Sequence, residues 1–192
     1  MRKMNFKYLV ISFILIIFQA TTFAQSPFHL DKTVSKIIIL GTSSVHDWEI
    51  EVTKFNCDAS ITTEENNQAS VSGVHVTCEV KNVECENRIM TGKTYKALNG
   101  DDYPQITFNA SETVTVSMNS EASIKGKLSI AGQTKDVVLP FKLSGENGTA
   151  FKIKGKIPVK MSDFKIEPPT AMMGALKTGN ELEIEYDIVL QK

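Results

Sequence analysis

The sequence predicts an all-β fold: eight antiparallel strands closing into an up-and-down barrel, with one short helical insertion. Three observations predict it. Two C-terminal stretches alternate apolar and polar residues almost without error, several strand candidates are joined by short turns, and only one segment has helical spacing. In residues 151–160 the apolar set is Phe151, Ile153, Ile157 and Val159, with Gly155 in phase. The opposite set is Lys152, Lys154, Lys156, Pro158 and Lys160. In residues 181–191, Leu182, Ile184, Tyr186, Ile188 and Leu190 alternate with Glu181, Glu183, Glu185 and Asp187. A period of two gives a strand one wet and one dry face, and such strands build antiparallel sheets around an apolar interior.

The first residues stand apart from that sheet. Arg2, Lys3 and Lys7 flank or precede an apolar run over residues 8–18, and Thr22-Phe23-Ala24 puts small residues at the −3 and −1 positions of a cleavage site. This is the pattern of a secretory signal peptide over residues 1–24, cut near Ala24. The run is too short for a bilayer core, which needs about 20 residues. The expected mature protein, residues 25–192, is one domain, periplasmic or secreted. Cleavage removes three basic residues and no acidic one, so 21 Lys+Arg become 18 against 22 Asp+Glu, a net charge of −4. That balance argues against nucleic acid as a partner.

Residues 35–41 open the barrel with three consecutive isoleucines, Ile37, Ile38 and Ile39. In residues 48–61 the inward phase runs Trp48, Ile50, Val52 and then Phe55, Cys57, Ala59, Ile61. The slip near Thr53–Lys54 predicts a β-bulge. Glu64-Glu65-Asn66-Asn67 then turns the chain into a strand over residues 69–81, with Val74, Val76, Cys78 and Val80 on one face. Residues 87–99 lose the alternation and carry Met90, Ala97 and Leu98 at helical spacing, a short helix weakened by Gly92. Strands follow over residues 105–116, 122–131, 134–144, 149–160 and 181–191, with turns at Ala131-Gly132-Gln133 and at 145–148.

Cys57, Cys78 and Cys85 stay in an oxidising compartment, where one disulfide and one free thiol are the natural arithmetic. The sequence leaves the pairing open, and a structural or simply buried role is favoured over a reactive thiol.

Tyr103-Pro104-Gln105-Ile106-Thr107-Phe108 is followed by Gly126-Lys127-Leu128-Ser129-Ile130-Ala131-Gly132-Gln133-Thr134-Lys135-Asp136-Val137. Asp163-Phe164-Lys165-Ile166 and Thr178-Gly179-Asn180-Glu181-Leu182-Glu183-Ile184 come later. Their order and spacing resemble the YceI-like polyisoprenoid-binding family of exported bacterial proteins. Gly41-Thr42-Ser43-Ser44-Val45-His46-Asp47-Trp48 and residues 168–174 look like its Bacteroidota-type branch. The resemblance covers nearly the whole mature chain. It implies a lipocalin-like barrel holding a polyisoprenoid or other long-chain lipid in its lumen. Many relatives carry an Arg-Asp pair early in the helical insertion and an Arg shortly before the Asp-Phe. Met90-Thr91-Gly92 and Met161-Ser162 stand there instead, so the ligand's identity does not transfer.

The residues give their own account of such a site. An eight-stranded barrel is just wide enough to be filled by side chains or to hold one small ligand. Ala110, Ala122, Gly126 and Gly155 lie in phase with Phe108, Leu128, Phe141, Phe151 and Ile157, and small residues among large ones leave volume along the axis. The bland alternative is that the glycines mark bends in a filled barrel. Residues 161–180 form the longest unpatterned connection, and Met172 and Met173 suit either a mouth or a plug. The candidate lipid contacts are thus Phe108, Gly126, Leu128, Phe141, Phe151, Gly155, Met172 and Met173.

No motif of phosphate binding, nucleophilic catalysis or zinc hydrolysis occurs, and no catalytic residue, metal site or cofactor is expected. His75 falls on the outward phase of its strand and His46 in a turn-like stretch. Lipid binding is the leading function class, a filled structural or stress-response barrel the second, and an enzyme a distant third. Carrier and reservoir roles stay open, and a homodimer is compatible with the sequence.

Overall fold

In chain order the computed structural model has β1 (Phe28–Leu30), β2 (Lys36–Ser43), β3 (Trp48–Val52), β4 (Phe55–Glu64), β5 (Gln68–Glu79) and β6 (Val83–Glu84). Helix α1 (Arg88–Ala97) follows, then β7 (Gln105–Ala110), β8 (Val114–Ser117), β9 (Glu121–Ile130), β10 (Gln133–Glu146) and β11 (Ala150–Lys160). The chain ends with β12 (Thr170–Ala171) and β13 (Leu176–Gln191). The structure describes residues 28–146, 148–171 and 174–192. The signal-peptide segment 1–24 and the candidate contacts Met172 and Met173 lie outside the described residues.

Among the described residues these pieces make a closed, eight-stranded antiparallel barrel with one helix. The neighbour order runs β4-β5-β7-β9-β10-β11-β13. The ring is shut by an N-terminal strand in two pieces. β1 pairs with both β13 and β4, while β2 pairs with β13 and β3.

The expected bulge at Thr53–Lys54 is a full break: β3 stays on β2, and β4 takes up β1 and β5. The inward phase on either side is as read, with Ile50, Val52, Phe55, Cys57, Ala59 and Ile61 all buried. A second slip went unread. In β5 the buried residues change from Ala69 and Val71 to Cys78, with Val74 and Val76 packed on the core, because Gly73 adopts φ +59°. Asp58 faces His75 while Ser60 faces Ser72, so the β5 side carries one extra residue. Only glycine takes that backbone at no steric cost.

The hairpin at Glu65-Asn66-Asn67 is present, with both asparagines left-handed at φ 57° and 59°. The connection after β11 is shorter than expected. A 3-10 turn over Met161–Phe164 buries Met161 and Phe164, and β13 starts at Leu176, with a register shift between Thr178 and Leu182.

β11 and β13 pair over their whole shared length, from Ala150↔Gln191 to Lys160↔Glu181. Their outer faces carry opposite charge, and the ion pairs follow the register. Lys154 Nζ lies 2.9 Å from Asp187 Oδ2, Lys156 Nζ 3.1 Å from Glu183 Oε1, and Lys160 Nζ 3.1 Å from Glu181 Oε1. Exposed pairs contribute under about 1 kcal/mol each, so the stripes select register more than they supply stability.

Candidate functional site: an apolar cavity at one end of the barrel

The two ends of the barrel are packed differently. At the end marked by the β10–β11 turn, Phe28 and Phe151 meet edge to face with ring centroids 5.1 Å apart. Leu143, Leu190 and Ala69 beside them are completely shielded from solvent. Toward the other end the interior is hollow, a cavity of about 720 Å³. Its floor is Val71, Ile124, Phe141 and Ile188, and its walls include Ile39, Val76, Leu139, Ile153 and Ile184. Phe164 and Ile166, from the connection after β11, close part of one side. The size is that of pockets that enclose small-molecule ligands.

The alternation places these groups. Each strand sends every second side chain inward, so aliphatic residues line the cavity wherever the inner phase carries them. No polar or charged residue is fully buried among the described residues. Polar lining residues gather instead at the rim: His46 and Asp47 before β3, Glu86 and Asn87 before α1, and Lys177 at the start of β13. Asn87 caps the helix, its side chain accepting a hydrogen bond from the Ile89 amide at 2.8 Å. Lys93 of α1 donates to the Thr170 carbonyl at 2.8 Å, tying the helix to the opposite lip.

Of the predicted contacts, Phe108, Leu128 and Phe141 line this cavity. Phe151 does not: it is spent in the packed end against Phe28. The two glycines face inward, but the space beside each belongs to the protein. A Cβ on Gly126 would fall within the Phe108 ring, and one on Gly155 would collide with the Tyr186 ring and the Pro140 carbonyl. The small residues therefore seat cross-strand aromatics rather than opening a tunnel. Tyr186 stretches over Gly155 and donates its hydroxyl hydrogen bond to the Pro140 carbonyl. β10 and β11 no longer pair beyond Lys142↔Lys154, which leaves that carbonyl to the tyrosine. Burial raises the Tyr186 pKa, and the nearby Glu121 charge adds to it.

All three cysteines line the cavity, and all are free thiols. The expected disulfide is absent, and for the Cys57–Cys78 pairing register is the reason, because Cys57 faces Val76 across the ladder while Cys78 faces Phe55. That diagonal relation separates Cα atoms by roughly 7–8 Å, beyond the usual reach of a disulfide. Burial pushes the Cys57 thiol up to about 12, aided by the Asp58 charge, and the Cys78 thiol to about 11, aided by Glu79. Both stay protonated at neutral pH and behave as small apolar wall groups.

The sequence reading missed the rim. Trp48, the only tryptophan, lines the mouth and donates its indole N–H to the Thr42 carbonyl at 2.9 Å. Its place on the inward phase was legible, but its position at an opening was not. Ile37 and Ile39 line the cavity while Ile38 does not, so the isoleucine run is an ordinary alternation carrying one half-buried apolar residue on the outer face.

Chains of the same architecture include the crystal structure of Burkholderia cenocepacia BcnA, at 21% identity and TM-score 0.67, with 83% of this chain and 98% of that one covered. A polyisoprenoid-binding domain from Saccharophagus degradans, implicated in plant cell wall breakdown, aligns at 10% identity and TM-score 0.67, covering 85% and 97%. The YCEI protein of Campylobacter jejuni aligns at 21% identity and TM-score 0.55, covering 72% and 84%. At these identities the likeness is one of fold. Among curated proteins none matches the sequence. The profile of the YceI-like domain matches residues 28–190, nearly the whole described chain, and the protein belongs to that family.

Proposed function

We propose that this is an exported protein that binds a long apolar lipid, polyisoprenoid-like, non-covalently in the barrel lumen, as a carrier or reservoir. The observation that carries the reading is the cavity: about 720 Å³ walled by aliphatic and aromatic side chains, closed below by a packed core and open at a polar rim. An empty apolar space of that size forfeits the dispersion contacts of its whole lining. A hydrocarbon chain restores them and leaves water as it does so. Burial contributes about 0.8 kcal/mol per CH₂, so a chain of ~15 carbons gives roughly 12 kcal/mol gross. Association and ordering offset several kcal/mol of that, and micromolar or tighter binding remains.

The polyisoprenoid-binding domain of the same fold supports this ligand class. The charged start, apolar run and Thr22-Phe23-Ala24 of residues 1–24 support export to the periplasm or beyond. Binding rather than catalysis fits a lumen whose ionisable lining groups away from the mouth, among the described residues, are cysteines and one tyrosine, with the Cys57 and Cys78 thiols held protonated. Native mass spectrometry of protein purified from its own host tests the reading. The expected result is a bound species of a few hundred daltons that extracts into organic solvent. Bare protein under conditions that preserve other lipid complexes, with no uptake of added lipid, overturns it.

A further inference from the structure

Resting on the lipid-binding reading, we propose that the barrel has a side door. It is a seam between β10 and β11, latched by Tyr186, through which an apolar ligand enters and leaves the lumen without passing the mouth.

The seam begins in the sequence. The two strands pair only from Glu146↔Ala150 to Lys142↔Lys154, yet β10 reaches back to Gln133 and β11 runs on to Lys160. Pro140 and Pro158 are the only prolines inside the described strands, and both stand in this unpaired stretch. The Pro140 carbonyl points at β11, since it accepts from Tyr186 beside Gly155. In an antiparallel ladder every second residue offers its N–H and C=O to a given neighbour. Pro140 and Lys142 therefore present theirs to β11, and in the same register Lys154, Lys156 and Pro158 present theirs to β10. Each strand thus lacks a donor where the ladder would continue, and proline is tolerated inside a sheet only at such an unpaired edge. From Gly155 to Lys160 the seam is roughly 20 Å long, at about 3.3 Å per residue. The Met161–Phe164 turn, packed on β10, β11 and β13, covers its far end.

Tyr186 fills the near end. It stands opposite Gly155 on the inward phase of β13, crosses that glycine and donates to the Pro140 carbonyl. Outside it lies a cleft of about 560 Å³ bordered by Lys36, Glu121, Pro140, Lys142 and Lys154. Inside it lies the lumen cavity. Among the described residues Tyr186 alone lines both, so one ring divides them. Both lips of the seam are apolar. Leu139, Ile157 and Val159 line the inner side. The outer side carries Pro158 and Val138, a large apolar side chain left 49% exposed, whereas the paired half of the same surface carries Lys142, Lys152 and Lys154. Swinging the ring aside breaks one hydrogen bond and unpairs no strand. Burial raises the Tyr186 pKa, so the latch stays protonated and donating at neutral pH.

Trp48, the only tryptophan, supplies the readout: energy transfer to retinol in the lumen, followed by stopped flow. The mouth is capped by biotinylating Val45→Cys, on its rim, in a Cys85→Ser background and adding streptavidin. Cys57 and Cys78, buried and protonated, do not take the label. Capped protein is expected to keep exchanging retinol. Tyr186→Phe, which keeps the ring and removes the latch, should speed association and dissociation alike by about fivefold, the worth of one neutral hydrogen bond, and leave Kd unchanged. Exchange that stops on capping, or a capped rate that Tyr186→Phe leaves as it was, overturns the side door. So does a Tyr186→Phe variant whose Kd weakens while its association rate holds, because Tyr186 is then only a wall contact. In each of these cases retinol still binds the uncapped protein, and the lipid-binding reading stands. Retinol failing to bind uncapped protein would instead overturn that reading and this inference together.

Discussion

The two ends of this barrel are built from the same alternating strands yet do different work. At the closed end the inner phase carries Phe28, Phe151, Leu143 and Leu190, large side chains that meet at the axis and leave no space. At the open end the inner phase carries mostly valines, isoleucines and cysteines beside Phe108 and Phe141, and together these stop short of the axis and leave the cavity. Interiors normally pack as densely as organic crystals. A hollow half maintained by a packed half is therefore a division of labour: one end supplies stability, the other capacity. β11 shows the boundary within one strand, for Phe151 belongs to the packed end and Ile153 to the cavity wall.

The comparison breaks most visibly under a buried charge. Leu143 and Ile153 are cross-strand partners, but only Ile153 lines the cavity. Leu143→Asp should prevent folding, since a lone carboxylate there has neither partner nor water and costs several kcal/mol. Ile153→Asp should cost less, because its carboxylate reaches a cavity that opens to solvent, and it should still expel an apolar ligand. Equal losses of soluble protein from the two substitutions would erase the distinction between the ends.

Truncation gives the next largest effect. Phe151→Ala should lower stability by about 3–5 kcal/mol, read by denaturant unfolding, with lipid affinity changed little. A loss of lipid without a loss of stability would return Phe151 to the binding wall.

Overpacking sharpens the same contrast. Ala69→Leu adds volume where none is free and should cost about 1–3 kcal/mol. Val76→Phe fills the cavity, should cost under about 1 kcal/mol, and should weaken lipid binding at least tenfold. The two melting temperatures and one ligand titration decide the matter.

The smallest effect lies outside the barrel, on the β11–β13 charge stripe. Burial works to raise the Asp187 carboxyl, but hydrogen bonds and charge from Lys154 and Lys152 outweigh it and hold it below its ordinary 3.8. A carboxyl depressed in the folded state adds stability above its unfolded pKa and loses it as pH falls through the folded value. The stability gap between wild type and Asp187→Asn should therefore be full, at about 1 kcal/mol or less, above about pH 5. It should close as the pH drops below about 4. A gap that widens on acidification would show that the ion pairs contribute nothing. Lys154→Asp should cost a similar amount, because it sets a second carboxylate against Asp187.

How far the sequence carries follows from which signals are local. The inward phases of β4, β9, β11 and β13 were legible because alternation is a property of neighbours in the chain, and the opposite stripes of Lys152–Lys160 and Glu181–Asp187 match the strand pair the structure shows. The phase slip at Gly73 was not, because a single glycine does not announce a positive φ. The cavity was legible in kind but not in place. Small inward residues do leave volume, but at Gly126 and Gly155 the rings of Phe108 and Tyr186 fill it from the adjacent strand. Where a cross-strand partner puts its ring depends on register, and register is a long-range property. The free cysteines teach the same lesson, since it is the offset of β4 on β5 that keeps Cys57 and Cys78 apart.

The central claim is that the ligand occupies the hollow end and that the packed end never admits it. Methyl-labelled protein loaded with geranylgeraniol tests this directly through intermolecular nuclear Overhauser contacts. Contacts from the lipid tail to the methyl groups of Ile39, Leu139, Ile153 and Ile184, with none to Leu143 or Leu190, are the result expected. Bound lipid that touches none of the first four methyl groups, or that reaches Leu143 and Leu190, would contradict it.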